Sequence, residues 1–133
     1  MDSKAQEVAT RVIYGMQNVL DAETGLFYNA TNRIDTCMNY TRPPLAVSLP
    51  QIKTAFLDAK KRGVKLRYIT EITEDNLSYC KELMLLVHDL RHLDPIRNNF
   101  MMNEKEYLAP LVLDDRETIS SELVYSNVIQ VVQ

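Results

Sequence analysis

The fold is decided by one stretch of sequence, residues 50–70, which reads PQIKTAFLDAKKRGVKLRYIT. Apolar side chains recur at spacings of three and four over residues 52–59, which is typical of one face of a helix. Ser48 is positioned to cap this helix, and Gly63 to end it as the C′ residue. Residues 64–70 then alternate between apolar and polar side chains, which predicts a strand.

A second helix–strand unit follows the first. Thr73 is expected to cap its helix, and residues 90–94 are expected to form its strand, closed by Pro95. An antiparallel hairpin is predicted from strands at 99–102 and 106–109, and residues 123–125 are predicted to be a last strand. This order predicts a mixed α/β fold with a mostly parallel sheet flanked by helices and a C-terminal antiparallel hairpin.

The two ends of the chain carry further predictions. The first 35 residues have a helical pattern with a break near Gly15, and a short strand is predicted at 34–40. Ser126 is expected to cap a last helix that contains the apolar residues Val128, Ile129, Val131 and Val132. Because that helix is still apolar where the sequence stops, we expect residues 1–133 to be one domain cut from a longer protein.

Composition excludes several classes of protein. The 133 residues are 46% hydrophobic and 25% charged, the profile of a single globular domain. Only three glycines occur, with none after Gly63, which excludes a Walker loop or a dinucleotide fingerprint. The net charge of −3 argues against nucleic acid and acidic membranes as partners. With neither a secretory signal nor a run of 18 apolar residues, we expect a cytoplasmic protein with reduced cysteines and no membrane partner.

Catalytic and metal-binding patterns are weak. His88 and His92 have metal-ligand spacing only if both lie on one helix, whereas the predicted helix ends near His88. Cys80 lies on an apolar helical face, and no Gly-x-Ser-x-Gly elbow occurs in the sequence. We therefore predict no catalytic residues, no metal and no cofactor.

Polar side chains collect where two predicted strands end. Because ligands bind at the carboxyl ends of strands in open α/β sheets, these side chains could clamp a small polar ligand such as an anion. In the alternative, the arginines pair with Glu71 and Asp94 as a structural network. The predicted ligand site comprises Arg67, Glu71, Arg91, His92 and Tyr125.

Several stretches of the chain resemble the N-terminal sensory region of archaeal sensor histidine kinases. They are residues 62–73, residues 79–84, residues 90–94, and Asn99-Phe100 with Glu106-Tyr107. The resemblance extends over residues 10–130. It implies a non-catalytic sensory domain of a two-component system, with kinase modules downstream in the same chain.

The segment His88-Asp89-Leu90-Arg91 also resembles the phosphoacceptor box of these kinases. In that box a proline follows the histidine by five residues and the helix is uninterrupted. Here Pro95 follows by seven, and the intervening residues have strand character. A surface histidine at a helix end is therefore the favoured interpretation.

The helix–Arg-Gly-Val–strand unit and the hairpin also resemble one half of a phospholipase D-type fold. That family's catalytic signature is His-x-Lys followed, five residues after the lysine, by an acid. If Asn103 takes the place of the acid, Asn98 falls at the lysine and Ile96 at the histidine. Without an imidazole nucleophile, covalent phosphoryl transfer is not expected. Because two half-units pack together in that superfamily, the resemblance implies a homodimer.

The sequence favours a sensor domain that binds a small polar ligand or partner in the cytoplasm. A ligand that prefers one dimer arrangement would shift the packing of the helices at 128–132, which the downstream modules would sense. The alternative is a ligand-free dimerisation or interaction module of a signalling or transcription regulator, and an unrecognised enzyme is the third possibility. A polar cleft at the strand ends would favour the sensor, whereas a closed salt-bridge network with a large apolar interface would favour the interaction module.

Overall fold

A computed structural model describes residues 7–110 and 121–128 of the chain. Within these ranges strands and helices alternate as far as His92, except for two consecutive helices at residues 43–48 and 50–61, and only strands follow. The elements are β1 Thr10–Tyr14, α1 Met16–Asn29, β2 Arg33–Met38, α2 Pro43–Ser48, α3 Pro50–Lys61, β3 Lys65–Thr70, α4 Leu77–Leu86, β4 Asp89–His92, β5 Phe100–Asn103, β6 Tyr107–Pro110 and β7 Glu122–Ser126.

The strands form one mixed sheet in the order β1-β7-β6-β5-β2-β3-β4. This confirms the mixed α/β class and the antiparallel β5–β6 hairpin. The prediction of a mostly parallel sheet is wrong, because β2–β3 and β3–β4 are parallel whereas the other four pairings are antiparallel. Parallel neighbours need a crossover connection. Among the described elements, α2 and α3 connect β2 to its neighbour β3, and α4 connects β3 to its neighbour β4, whereas α1 connects β1 to β2, which are not neighbours in the sheet.

The helices pack on one face of the sheet. Alternate residues of the strands are buried on this face, as the patterns of β2 and β3 show. They meet α1 and α3, whose Phe27 and Phe56 rings lie 4.7 Å apart in a tilted arrangement. The intervening strand residues are partly or fully exposed, apart from the fully buried Ser126 at the end of β7, and no described helix covers them. We call that second side the open face.

The N-terminal segment corrects one prediction. Residues Thr10–Tyr14 form a strand rather than a helix, because all five pair with β7 near the other end of the chain. The predicted break at Gly15 is confirmed by its positive φ of 93°. Helix α1 follows directly, as predicted.

The decisive stretch folds as predicted, with one correction at its start. Helix α3 ends before Gly63, whose φ of 86° suits the left-handed C′ position. Ser48 is not its N-cap but the last residue of α2, a short helix that the sequence analysis missed. Two prolines open α2, where their missing N–H groups cost nothing.

The second helix–strand unit and the C-terminal end of the chain also differ in detail from the prediction. Helix α4 begins at Leu77 rather than next to Thr73. Thr73 and Asn76 exchange hydrogen bonds, Thr73 N to Asn76 Oδ1 at 2.8 Å and Asn76 N to Thr73 Oγ1 at 3.2 Å. These bonds form a turn over residues 73–76, so the helix begins only at Leu77. Ser126 lies in β7, and the predicted helix beyond it falls mostly outside the described residues.

Candidate functional site

Four of the five predicted site residues lie close together. Arg67 and Glu71 lie on and just after β3, and Arg91 and His92 lie on β4, its parallel neighbour. Tyr125 is not with them, because it lies on β7 and three strands separate β7 from β3. We call the group at the carboxyl ends of β2, β3 and β4 the strand-end crevice.

Inside the strand-end crevice, the side chains of Glu71 and His92 accept hydrogen bonds from backbone N–H groups. Glu71 accepts hydrogen bonds from Tyr40 N and from Ile96 N, each at 3.1 Å. His92 Nδ1 accepts one from Ile72 N at 2.9 Å. These side chains therefore fix the connections around the crevice.

The two arginines point to the open face. Their partners are not Glu71 and Asp94, the acids that the alternative prediction named. Arg67 binds Asp35 in a bidentate manner, with Nε–Oδ1 at 2.6 Å and Nη2–Oδ2 at 2.7 Å. These bonds lower the pKa of Asp35. Arg91 Nε contacts Asp89 Oδ1 at 2.8 Å on its own strand. A network does exist, but its acids are Asp35 and Asp89.

Tyr125 belongs to a separate buried network at the β5–β6 hairpin. Its hydroxyl donates to Glu106 Oε2 at 2.8 Å, and burial followed by this bond raises the pKa of Tyr125 to about 12. Glu106 Oε1 accepts from Asn103 Nδ2 and from Asn29 Nδ2, both at 3.2 Å. Since Asn103 Nδ2 also donates to Leu26 O at 2.9 Å, the network fastens the hairpin to α1.

The positions compared with the phospholipase D signature are scattered. Asn103 is fully buried in the network just described, Ile96 lies in the connection after β4, and Asn98 is exposed. The segment resembling a phosphoacceptor box also lacks helical structure, because Asp89–His92 is a strand. His88 lies before it, where Nδ1 accepts from Leu66 N at 3.0 Å.

A cavity on the helix side of the sheet gathers a different set of residues. About 40 Å³ of it is open to water molecules, and its empty space including the mouth is about 460 Å³. The smaller volume exceeds what one water molecule needs, and the larger volume includes open solvent at the mouth. Its lining is Glu23, Phe27, Thr36, Met38, Arg42, Leu45, Ala46, Ile52, Phe56, Tyr68, Met101 and Pro110.

Three ionisable side chains, Glu23, Arg42 and Tyr68, stand out against these mostly apolar walls. Burial raises the pKa of Glu23 to about 7, and the positive charge of Arg42 acts in the opposite direction. Burial likewise raises the pKa of the Tyr68 hydroxyl, again opposed by Arg42. A few convergent polar groups in an apolar pocket, one titrating near neutrality, are typical of a ligand site.

The turn Asn39–Arg42 joins the strand-end crevice to the cavity. Asn39 N donates to Asn99 Oδ1 at 2.8 Å, and Thr41 N donates to Asn39 Oδ1 at 3.0 Å. Asn76 Nδ2 donates to Tyr40 O at 3.1 Å. Because Glu71 also holds Tyr40, the ends of β3 and β4 determine where Arg42 enters the cavity.

Sequence reasoning missed Glu23 and Arg42. A signal for Glu23 was present, since it lies four residues after Val19 and four before Phe27, on the buried stripe of α1. A carboxyl on such a stripe is uncommon. Arg42 carried no comparable signal, because it lies between the strand predicted at 34–40 and the helix predicted after Ser48, outside every predicted element.

The described residues contain no group of three or more His, Cys, Asp or Glu side chains arranged to hold a metal ion. Cys37 and Cys80 are both free thiols. In the part of the chain that the structure describes, no helix has the length and apolar character needed to cross a membrane.

Comparison with known proteins identifies the fold. No family model and no curated protein matches the chain. Solved structures with a similar fold include the following three. TrmBL2, an archaeal chromatin protein described with a novel mode of DNA binding, has a TM-score of 0.64 and 20% identity, covering 99% of this chain and 50% of its own. Nuc, a phospholipase D family member from Salmonella typhimurium, has a TM-score of 0.69 and 14% identity. The match covers 95% of this chain and 88% of Nuc. Polyphosphate kinase from Porphyromonas gingivalis has a TM-score of 0.67 and 12% identity. The match covers 93% of this chain and 24% of the kinase.

The similarity to TrmBL2 corrects the prediction that nucleic acid is not a partner. Net charge was the basis of that prediction, yet this fold occurs in a protein that binds DNA. The chain spans half the length of TrmBL2. The similarity to Nuc agrees with the expected phospholipase D resemblance, and the chain has a phospholipase D-like half-fold.

Proposed function

We propose that the chain is a non-catalytic sensor domain whose ligand binds in the cavity on the helix side of the sheet. The observation that carries this proposal is the meeting of Glu23, Arg42 and Tyr68 among apolar walls. The two-component assignment rests on the resemblance to archaeal sensor kinases. In that setting the domain would work in the cytoplasm and pass its signal to modules later in the chain.

The lining favours a small carboxylate with an apolar body. The Arg42 guanidinium suits a planar anion, and the Phe27 and Phe56 rings offer an apolar surface to the rest of the ligand. A carboxyl with a pKa of about 7, as at Glu23, is largely protonated in mildly acidic solution and can then donate a hydrogen bond to the anion.

The turn Asn39–Arg42 provides the route by which binding would be transmitted. A ligand that draws Arg42 inward acts on Tyr40 and Asn39, which Glu71 and Asn99 hold at the strand ends. Such a ligand shifts the population of two turn arrangements by its difference in affinity for them. The homodimer implied by the phospholipase D resemblance would give this shift a second subunit to act on.

A non-catalytic role is supported by the residues at the compared signature positions, Ile96, Asn98 and Asn103. None supplies an imidazole for a covalent phosphoryl intermediate. The raised pKa of Tyr68 keeps its hydroxyl protonated, so it would act as a hydrogen-bonding group rather than as a nucleophile.

Ligand-induced thermal stabilisation tests the proposal. The probes are straight-chain monocarboxylates from acetate to octanoate and benzoate, each compared with its primary amide. We expect the acids to raise the melting temperature of the wild-type protein and of Arg91→Gln, but not of Arg42→Gln. Arg91→Gln is the matched control because it also removes a guanidinium, on the opposite side of the sheet. Equal stabilisation of Arg42→Gln would contradict a role for the cavity, and its loss in Arg91→Gln would favour the strand-end crevice.

DNA binding is a second candidate, favoured by the similarity to TrmBL2. The exposed basic side chains that could contact phosphates include Lys61, at the end of α3, and Lys65, at the start of β3. Fluorescence anisotropy with a 20-base-pair duplex tests it. Binding that weakens with salt and in Lys61→Gln/Lys65→Gln would support DNA binding. No anisotropy change at low salt would exclude it for this domain.

A further inference from the structure

The cavity on the helix side of the sheet holds two charges of opposite sign. Glu23 on α1 and Arg42 in the turn before α2 both line it. They interact electrostatically, because the charge of Arg42 opposes the effect of burial on the pKa of Glu23. A guanidinium stays protonated in proteins. The pair is therefore neutral when Glu23 is ionised and carries one positive charge when Glu23 is protonated.

A ligand carboxylate changes this balance. The inference drawn from it rests on the proposed function, in which the carboxylate meets Arg42 inside the cavity. With Glu23 ionised, two carboxylates would share one guanidinium between mostly apolar walls, and one buried negative charge would be left uncompensated. Two carboxylates in one site avoid this cost when they retain a proton between them.

We propose that the cavity binds a carboxylate together with one proton, so that the domain responds to acidity as well as to its ligand. Glu23 and the ligand share that proton, and Arg42 compensates the one negative charge that remains. In the free protein the pKa of Glu23 is about 7. Below this pH the proton is already in place, whereas above it each ligand must bring a proton from solvent. Affinity should therefore fall by roughly tenfold for each pH unit above 7.

The other described ionisable groups that act on Glu23 or on its neighbour Tyr68 stay protonated between pH 6 and 8.5. Burial raises the pKa of Tyr68, which lines the cavity from β3. Burial also raises the pKa values of Cys37 on β2 and Cys80 on α4, the two thiols that act on Tyr68. Among the described residues, those that β2, α2, α3, β5 and β6 add to the lining carry no charge. Proton uptake in this range is therefore assigned to Glu23 and the ligand.

Isothermal titration calorimetry between pH 6 and 8.5 tests this inference. The probe is whichever acid binds most tightly among the straight-chain series from acetate to octanoate and benzoate, with its primary amide as the uncharged comparison. We expect the affinity of the wild-type protein for the acid to fall about 30-fold across this range. In Glu23→Gln, whose amide can donate a hydrogen bond but does not titrate, affinity should stay constant. Glu74→Gln is the matched control, since it removes an exposed carboxyl, and it should behave as the wild-type protein does.

Proton uptake by the wild-type protein provides a second readout that does not depend on a variant. Titrations at pH 8 in HEPES and in Tris give different binding enthalpies if the buffer supplies a proton, and we expect the difference to correspond to nearly one proton per acid bound. Acid binding without proton uptake, or a pH dependence that persists in Glu23→Gln, overturns this inference while leaving the ligand site in place. Failure of every acid to bind at any pH overturns the proposed function and this inference with it.

Discussion

The Glu71 carboxylate accepts a hydrogen bond from the backbone N–H of Tyr40 at 3.1 Å, across the gap between the ends of β3 and β2. Its second oxygen accepts from Ile96 N, also at 3.1 Å. One side chain therefore connects the turn that carries Arg42 to the segment after β4. Glu71 was predicted to bind the ligand directly. It does not line the cavity, but it holds the turn from which Arg42 reaches the cavity.

Removing this carboxylate should loosen the turn. We expect Glu71→Ala to lower the free energy of unfolding by about 2 kcal/mol, since two backbone donors lose a charged acceptor. Urea denaturation measures this loss. Glu74→Ala, at an exposed position nearby, should change stability by less than about 0.5 kcal/mol. Equal effects of the two substitutions would show that Glu71 does not hold the turn.

The partly buried Glu23, at the cavity wall, predicts a pH dependence of stability. Its pKa is about 7 in the folded protein against an ordinary 4.5, so the folded state retains a proton that the unfolded state releases. Because the folded state binds more protons between these values, stability falls as pH rises from 4.5 toward 7, by roughly 3 kcal/mol in total. Below 4.5 both states are neutral and the effect vanishes.

Glu23→Gln removes this titration. The difference in unfolding free energy between the variant and the wild-type protein should grow in favour of the variant from pH 5 to pH 8. Urea denaturation at several pH values measures it, with Glu74→Gln as the exposed control. A difference that stays constant with pH would mean that the carboxyl is not held in an apolar setting.

Two glycines predict opposite responses to alanine. Gly63 has a φ of 86°, where a Cβ is strained even though no atom obstructs it. We expect Gly63→Ala to cost about 1 kcal/mol. Gly25 lies within α1 with open space around its Cα, so Gly25→Ala should stabilise by roughly 0.5–1 kcal/mol. Thermal melting of the pair checks both signs, and a stabilised Gly63→Ala would contradict the assigned C′ conformation.

The Tyr125 hydroxyl predicts a structural role at the hairpin. Tyr125→Phe leaves Glu106 Oε2 buried without the donor now at 2.8 Å, and we expect a loss of about 2 kcal/mol. Tyr107→Phe, on the open face, should be close to neutral in stability. Thermal shifts with the carboxylate probes should be the same in Tyr125→Phe and in the wild-type protein. Their loss in Tyr125→Phe would restore Tyr125 to the ligand site.

Local patterns predicted the parts of the fold whose signals are local. The α3–Gly63–β3 unit and the hairpin follow from spacing and turn residues. Strand β1 could not be predicted in that way, because its partner β7 lies more than a hundred residues along the chain and its short apolar pattern fits either structure. The mostly parallel sheet was an extrapolation from two helix–strand units to the whole fold.

The site was predictable only in part. The carboxyl-end rule brought Arg67, Glu71, Arg91 and His92 to neighbouring strands, but spacing does not show which acid an arginine meets. Pairing with Asp35 depends on the β2–β3 register, which appears only when the sheet is assembled. The cavity likewise depends on how α1 and α2 pack over the sheet, so its polar residues are distant in sequence.

The most direct test of the central claim is ¹³C-methyl methionine NMR during titration with the carboxylate probes. Met38 and Met101 line the cavity, Met84 is 61% exposed on α4, and Met102 lies on the open face. If the ligand binds in the cavity, the Met38 and Met101 methyl resonances shift and saturate together while that of Met84 stays fixed. Saturable shifts confined to Met102, or none at Met38 and Met101 with any of the acids, would contradict a sensor whose carboxylate ligand binds in this cavity.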